Sequence, residues 1–407
     1  MTILAAIALA LAQGDPALEA RVSSYAAQLR DDATRDRARD RLVHFGKPAL
    51  ALLEKADVDP AVLSSIRQEV ALNDSLGAAY GPPHLFTFDG TEESLGVLLS
   101  RLETVAGAPF QKNSLDLGQR LSLKLEDATY WEALDEICAK ASIWCLPTND
   151  PLYLNGGVPI QKPRAYYGPF IILMDRVQQT RRVTFSAIES EFSIVLALAW
   201  EKSISPLGVN GRHHLTAVTD DTGASLLPAA SPAPATPQRV TSYIRTGQGL
   251  SLSGLRVPSA QAKKLSRVEG TVEVEFPSRI DEVRFDLASE GATPPKEKSI
   301  EGATVEFKGF VPQAAWGATM TVAVHFADPK EGAKFRIGQN DVEYVMPGDQ
   351  KRFGWIATAS YADGVYTFVT NWRNGGRTDL PKEVRLRIPR GVVVKNVPFC
   401  FKDVELK

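Results

Sequence analysis

Residues 121–155 read LSLKLEDATYWEALDEICAKASIWCLPTNDPLYLN. Leu121, Leu123 and Leu125 alternate with Ser122, Lys124 and Glu126, the period of a half-buried strand. Thr129 and Glu132 stand three apart at the head of a helical pattern, the spacing of a capping box. Trp131, Leu134, Cys138 and Ala141 then fall on one helical stripe, flanked by Tyr130 and Ile137. Two short apolar runs, 143–146 and 152–154, enclose Asn149-Asp150-Pro151, which has turn composition. The stretch predicts strand, helix, strand, strand. A weaker copy of its first half precedes it. Residues 85–88 form a short strand. Thr91 can cap a helix whose first turn carries Glu92 and Glu93, as the helix dipole favours. Leu95, Leu98, Leu99, Leu102 and Val105 form its apolar stripe, and Gly107 ends it. Residues 79–157 are therefore predicted to be a small βαβ-type domain with an internal duplication.

The strand LSLKLEDAT, the helix start YWEALDEI, the short strand SIWCL and the closing strand PLYLN resemble the short N-terminal domain of secretins and TonB-dependent receptors. The likeness covers residues 85–155 and includes the triplet Ala133-Leu134-Asp135. It implies a protein-interaction or adaptor module, with no catalytic residue to carry over. No pore or barrel sequence follows it.

Upstream, residues 13–78 are helical. Leu18, Val22, Tyr25, Ala26 and Leu29 share one face. The run DATRDRARDRLVHFG is dense in alternating charge and reads as a solvated helix face. Gly46 is a natural stop, and Asp59-Pro60 opens a further helix. The segment HFGKPALALLEKADVDPAVLSSI resembles a HEAT-type helical repeat, which implies a helical array packed on a neighbour. Residues 1–12 carry an apolar run and a small-x-small site at Ala10-Leu11-Ala12, which reads as a signal peptide although no Lys or Arg precedes it. Export to the periplasm or cell envelope is the expectation.

Downstream the pattern turns to strands. FIILMDRVQQTRRVTF alternates, and SIVLALAWEKS is a second strong strand whose Trp200-Glu201 end reads as surface. Residues 158–262 form one β-rich domain holding a Pro/Ala loop at 228–238. Residues 263–407 form a C-terminal antiparallel β-sandwich, with short strands, Gly and Pro turns, and a hairpin at Asp363-Gly364. The ending VPFCFKDVELK resembles the closing strand of exported bacterial proteins that combine these same modules. The fold class is multidomain α+β: helical segment, βαβ-type domain, then β-sandwiches.

Forty-six basic and 48 acidic side chains leave a net charge of −2. That balance creates no field to draw in nucleic acid or an anionic membrane. No segment after the N-terminus is long and apolar enough to span a bilayer. The three cysteines form no metal-type pair. Cys138 and Cys145 can bridge in an oxidising compartment, or they are two small buried residues. His213, His214, Asp220 and Asp221 cluster in sequence, but adjacent strand residues point to opposite faces, and the acidic pair has turn composition. No G-x-S-x-G, Walker A or H-E-x-x-H motif occurs. Catalytic, cofactor and metal residues are thus predicted as none. The expected function is a non-enzymatic envelope interaction module with a protein partner, of unspecified oligomeric state. Two alternatives stand beside it. One is a carbohydrate- or ligand-binding β-sandwich using Trp355, Tyr361, Tyr366 or Trp372. The other is a hydrolase whose carboxylates meet only in three dimensions.

Overall fold

The computed structural model describes residues 15–406 apart from 82, 107–108, 148–151, 159–161, 184–187, 202, 229–247, 288–295, 314–316, 336, 338–340, 349–350, 354 and 373–380. The expected signal peptide, most of the Pro/Ala loop and the Asn149-Asp150-Pro151 turn lie outside the described residues. Among the described residues four helices come first: α1 (Pro16–Gln28), α2 (Arg35–Phe45), α3 (Lys47–Leu53) and α4 (Pro60–Ser75). Asp15 and Asp59 cap α1 and α4, each accepting from backbone N–H groups that the helix leaves unpaired. Their apolar faces meet in one core that includes Val22, Tyr25, Ala38, Leu42, Leu53, Ile66 and Val70.

The αβ unit follows: β1 (Leu85–Ser94), α5 (Leu95–Ala106), β2 (Gln111–Asn113), β3 (Arg120–Thr129), α6 (Tyr130–Ala141), β4 (Ile143–Cys145) and β5 (Tyr153–Gly156). Both halves of the Thr129/Glu132 capping box are formed. Helix α5 starts later than Thr91. Strand β1 runs on to Ser94, which pairs with Arg120 of β3 after an irregularity between Gly90 and Glu93 where Glu92 has a φ of 59°. The Ser94 hydroxyl then accepts from Val97 N at 3.4 Å. Strands β1 and β3 form one antiparallel pair, and β2-β5-β4 form a second sheet in which β2 runs parallel to β5.

The first sandwich contains β6 (Arg164–Tyr167), β7 (Phe170–Val183), β8 (Ile188–Trp200), β9 (Gly208–Asp220), β10 (Gln248–Leu255) and β11 (Lys264–Phe276). The sheet β10-β8-β7-β6 is covered on both faces. Phe170, Ile172, Met174, Ile194, Leu196 and Leu198 enter the sandwich core. Ile171, Leu173 and Ala199 enter the core of the αβ unit instead. Two-sided burial explains the unbroken apolar runs FIILM and IVLALAW, which alternation alone does not require.

The second sandwich contains β12 (Arg279–Asp286), β13 (Lys296–Ile300), β14 (Ala303–Gln313), β15 (Gly317–Phe326), a short helix α7 (Pro329–Lys334), β16 (Val342–Val345), β17 (Lys351–Phe353), β18 (Trp355–Ala362), β19 (Val365–Trp372) and β20 (Glu383–Arg390). Its sheets are β12-β20-β16-β17 and β13-β14-β15-β19-β18, and Asp363-Gly364 turns between β18 and β19 as expected. The last strand, β21 (Val393–Glu405), leaves this sandwich. It pairs with β11 along its length, from Lys264↔Glu405 to Phe276↔Val393. The second sandwich is therefore an insertion between β11 and β21. The sheets do not divide near residue 262: β11 and β21 belong with the strands before that point. Val397, Phe399 and Phe401 fill the same core as Val268, Val272 and Val274, which rewards this pairing. No helix among the described residues is long and apolar enough to cross a membrane.

Candidate functional site

A cluster of buried charged side chains lies where the helices, the αβ unit and the first sandwich meet. It starts in α2, within the charge run that reads as a solvated face. The structure corrects that reading: Asp40 is 3% exposed and Arg41 1%. Helical spacing puts Arg41 on the side of the buried Ala38, whereas Asp40 lies on the opposite side with His44, so α2 is covered on both sides. The Arg41 guanidinium bonds the Asp40 and Glu132 carboxylates, and its Nε donates to the Asp127 carbonyl at 2.6 Å. Glu132 is thereby both a helix cap and an ion-pair partner.

Asp127 occupies a bulge in β3, where Glu126 and Asp127 oppose the single residue Thr87. Its φ of 45° is unusual for a non-glycine residue. The buried carboxylate accepts from Arg21 Nη1 at 2.9 Å, Tyr25 OH at 3.2 Å and Thr87 Oγ1 at 3.3 Å. Asp40 reaches the other way, accepting from Gly168 N at 2.9 Å and facing His44 Nδ1 at 3.1 Å. Burial alone would raise the Asp40 pKa, but His44, Arg41 and the Gly168 N–H together hold it below the usual value. Gly168 is required at this turn. Its φ is +51°, and a Cβ there would lie 2.2 Å from His44 Nε2.

The seam continues to β21. Lys395 is fully buried, and its Nζ donates to Glu69 Oε1 at 2.8 Å and Asn73 Oδ1 at 2.7 Å on α4. The ammonium also sits 5.0 Å and 5.4 Å from the ring centroids of Tyr80 and Tyr167. Burial lowers the Lys395 pKa, against the opposing pull of Glu69.

A third cluster joins the linker before β1 to the end of β8. His84 Nδ1 lies 2.9 Å from Glu201 Oε2, and Ser203 Oγ donates to the same oxygen at 3.2 Å. Glu201 is buried, which corrects the surface reading of Trp200-Glu201. A bridge between Tyr80 and Ile204 and the bond Ser205 N to Ala79 O at 2.9 Å fasten the same linker. The bond to Glu201 raises the His84 pKa despite partial burial. A raised folded pKa means that the native state binds the proton more tightly. The contribution is complete below the unfolded histidine value of about 6.5 and is lost as pH rises through the folded pKa. The urea midpoint is expected to fall between pH 6 and pH 8.5, and to fall less in His84→Gln. Equal falls in both proteins would remove this pair from the account.

The residues singled out by sequence are placed elsewhere. Cys138 and Cys145 are buried free thiols in the αβ core. Burial pushes Cys138 up to about 12 and Cys145 well above its ordinary value, so neither thiolate is favoured. Asp220 is a loop clamp: it accepts from Thr222 N and Oγ1, Ala224 N and Ser259 N. His214 is exposed, and the side chain of His213 lies outside the described residues. Tyr366 is buried and the Tyr361 hydroxyl donates to Pro329 O at 2.6 Å, while the side chains of Trp355 and Trp372 lie outside the described residues. Asp127 and Lys395 escaped the sequence reading, and Arg41 and Glu201 were read as solvent-facing. Two signals were present. LEDAT breaks its alternation at Glu126-Asp127, and Lys395 interrupts the apolar run VVVKNVPF.

Arg41, Asp127 and Lys395 each face an opposite charge on another element, and Glu201 faces His84. Such an arrangement fastens units together. Compared with protein-family models, curated proteins and solved structures, the chain matches none.

Proposed function

We propose that the chain is a non-enzymatic, exported scaffold of the cell envelope that presents sheet edges to a protein partner. The observation that carries this reading is the outer part of the β7–β8 hairpin. Strand β6 accompanies β7 only as far as Leu173, and β10 accompanies β8 only as far as Phe192. The β7–β8 ladder nevertheless continues to Val183↔Ile188. Among the described residues, β7 therefore has a free edge from residue 176 onward, and 180–183 with 188–191 form a two-stranded arm. Arg176, Gln178, Gln179, Thr180, Arg181, Ser190 and Glu191 are exposed along this edge and arm, and Val183 is 68% exposed. A two-stranded ribbon is marginal by itself, and free edges add strands from other chains. The interlocked seam supports the reading further, because it gives the arm a firm base.

The test uses a photo-cross-linker at Gln179 in the full chain, expressed in its own envelope. The expected result is one stoichiometric protein adduct. It disappears when residues 181–190 are replaced by Asn-Gly, which joins the cross-strand pair Thr180 and Glu191 and spares the core. No adduct, or an adduct that survives the shortened arm, would overturn the proposal. Burial of Tyr366 weighs against the ligand-binding sandwich alternative.

A further inference from the structure

The sheet β2-β5-β4 has one face in the αβ core and, among the described residues, one face open. Ile143, Cys145 and Leu154 point inward and are buried. Lys112 shares that inner side and pairs with Glu103 at 2.7 Å. The register sets the residues of the other face. Asn113, Asn155 and Trp144 lie in one row across the three strands, and Gln111 and Tyr153 form a second row. Strand spacing makes this platform roughly 10 Å wide, with rows roughly 7 Å apart. Those dimensions match one or two pyranose rings.

The chemistry of the face is specific. None of its five side chains is charged. Tyr153 is 41% exposed, and Trp144 is half-buried. Neither the Trp144 indole N–H nor the Tyr153 hydroxyl has a hydrogen-bond partner among the described residues. Asn113 Nδ2 donates to Asn155 Oδ1 at 3.2 Å, which orients both amides along the row. Gly157 lies beside the indole, where a Cβ would approach Trp144 Cδ1 to 3.5 Å. Its φ of +141° suits glycine, and the absence of a side chain leaves that edge of the ring uncovered.

Charge selects the occupant. An acidic or basic peptide finds no countercharge here. An apolar helix would bury three side-chain amides and leave unsatisfied the donors and acceptors not used between Asn113 and Asn155. An uncharged saccharide meets both requirements: its C–H faces stack on the aromatic rings, and its hydroxyls bond the amides, the indole N–H and the phenol. We propose that the outer face of β2-β5-β4, built from Trp144, Tyr153, Asn155, Asn113 and Gln111, is a binding site for uncharged pyranose oligosaccharides. It is a different surface from the arm and stands or falls separately from it.

The experiment titrates the full chain with linear hexasaccharides of glucose, xylose and N-acetylglucosamine, followed by tryptophan fluorescence and calorimetry. At least one is expected to bind. Trp144→Ala should weaken it by at least about tenfold, as expected for loss of one aromatic contact together with a hydrogen bond. Tyr153→Ala, an exposed position that spares the fold, should weaken it as well, and the shortened arm should leave it unchanged. Absence of binding at millimolar sugar would overturn the proposal, as would affinity unchanged in both aromatic variants. Binding confined to charged saccharides would also overturn it.

Discussion

Replacing Lys395 with alanine should lower the unfolding free energy by about 3 kcal/mol, whereas Lys395→Met should cost no more than about 1 kcal/mol. The difference isolates what this residue does. Its ammonium is fully buried, and Glu69 and Asn73 on α4 are its hydrogen-bond acceptors. Alanine removes the charge and leaves a void between the rings of Tyr80 and Tyr167. Methionine also removes the charge but fills most of that space. Glu69 is not stranded in either variant, since Arg39 Nη2 still donates to its Oε2 at 2.8 Å. Urea unfolding curves of the two variants against the parent measure the effect. Equal losses would mean that the ion pair, and not the packing around it, sustains the contact between β21 and the helices.

Arg41→Ala should be costlier still, about 3–5 kcal/mol, because it removes the shared partner of two carboxylates. Asp40 would keep His44 and the Gly168 N–H, and Glu132 would keep its capping role. The Asp127 carbonyl would lose its guanidinium donor. The loss should be local. Amide exchange in α1–α4 should accelerate while β11 and β21 stay protected, since the sandwich core contains none of these groups. Arg41→Lys should not restore protection, because one ammonium cannot reproduce the planar fork that spans Asp40, Glu132 and the Asp127 carbonyl. Uniform acceleration across the whole chain, or none, would show that the seam does not dock the helices.

The residues of this seam divide by how far apart their partners lie in the chain. The Thr129/Glu132 cap spans three residues, so its sequence spacing states it directly. The Asp59-Pro60 helix start is equally local and forms where its pattern places it. Thr91 shows the opposite case. It has the composition of a cap, but it lies in an irregular stretch of β1 between the paired residues Gly90 and Glu93, and the helix starts only at Leu95. Asp40 and Gly168 are separated by 128 positions, and Lys395 and Glu69 by 326. No local pattern encodes such a meeting, so the charge run in α2 reads as solvated until the fold covers it.

Local chemistry and chain closure settle different features of this protein. Periodicity and turn chemistry determined the elements: helices at the start, strand–helix units at 85–155, and antiparallel strands thereafter. They did so because burial acts on each element's own apolar face. The tertiary structure decided which faces meet. It covered both faces of β7 and β8, returned β21 to β11 across an inserted sandwich, and carried Asp40, Arg41, Glu201 and Lys395 into one polar seam. An element's pattern records that a face is buried and does not record against what. The partner is selected by complementary shape and charge across long loops, and those exist only once the chain has closed on itself.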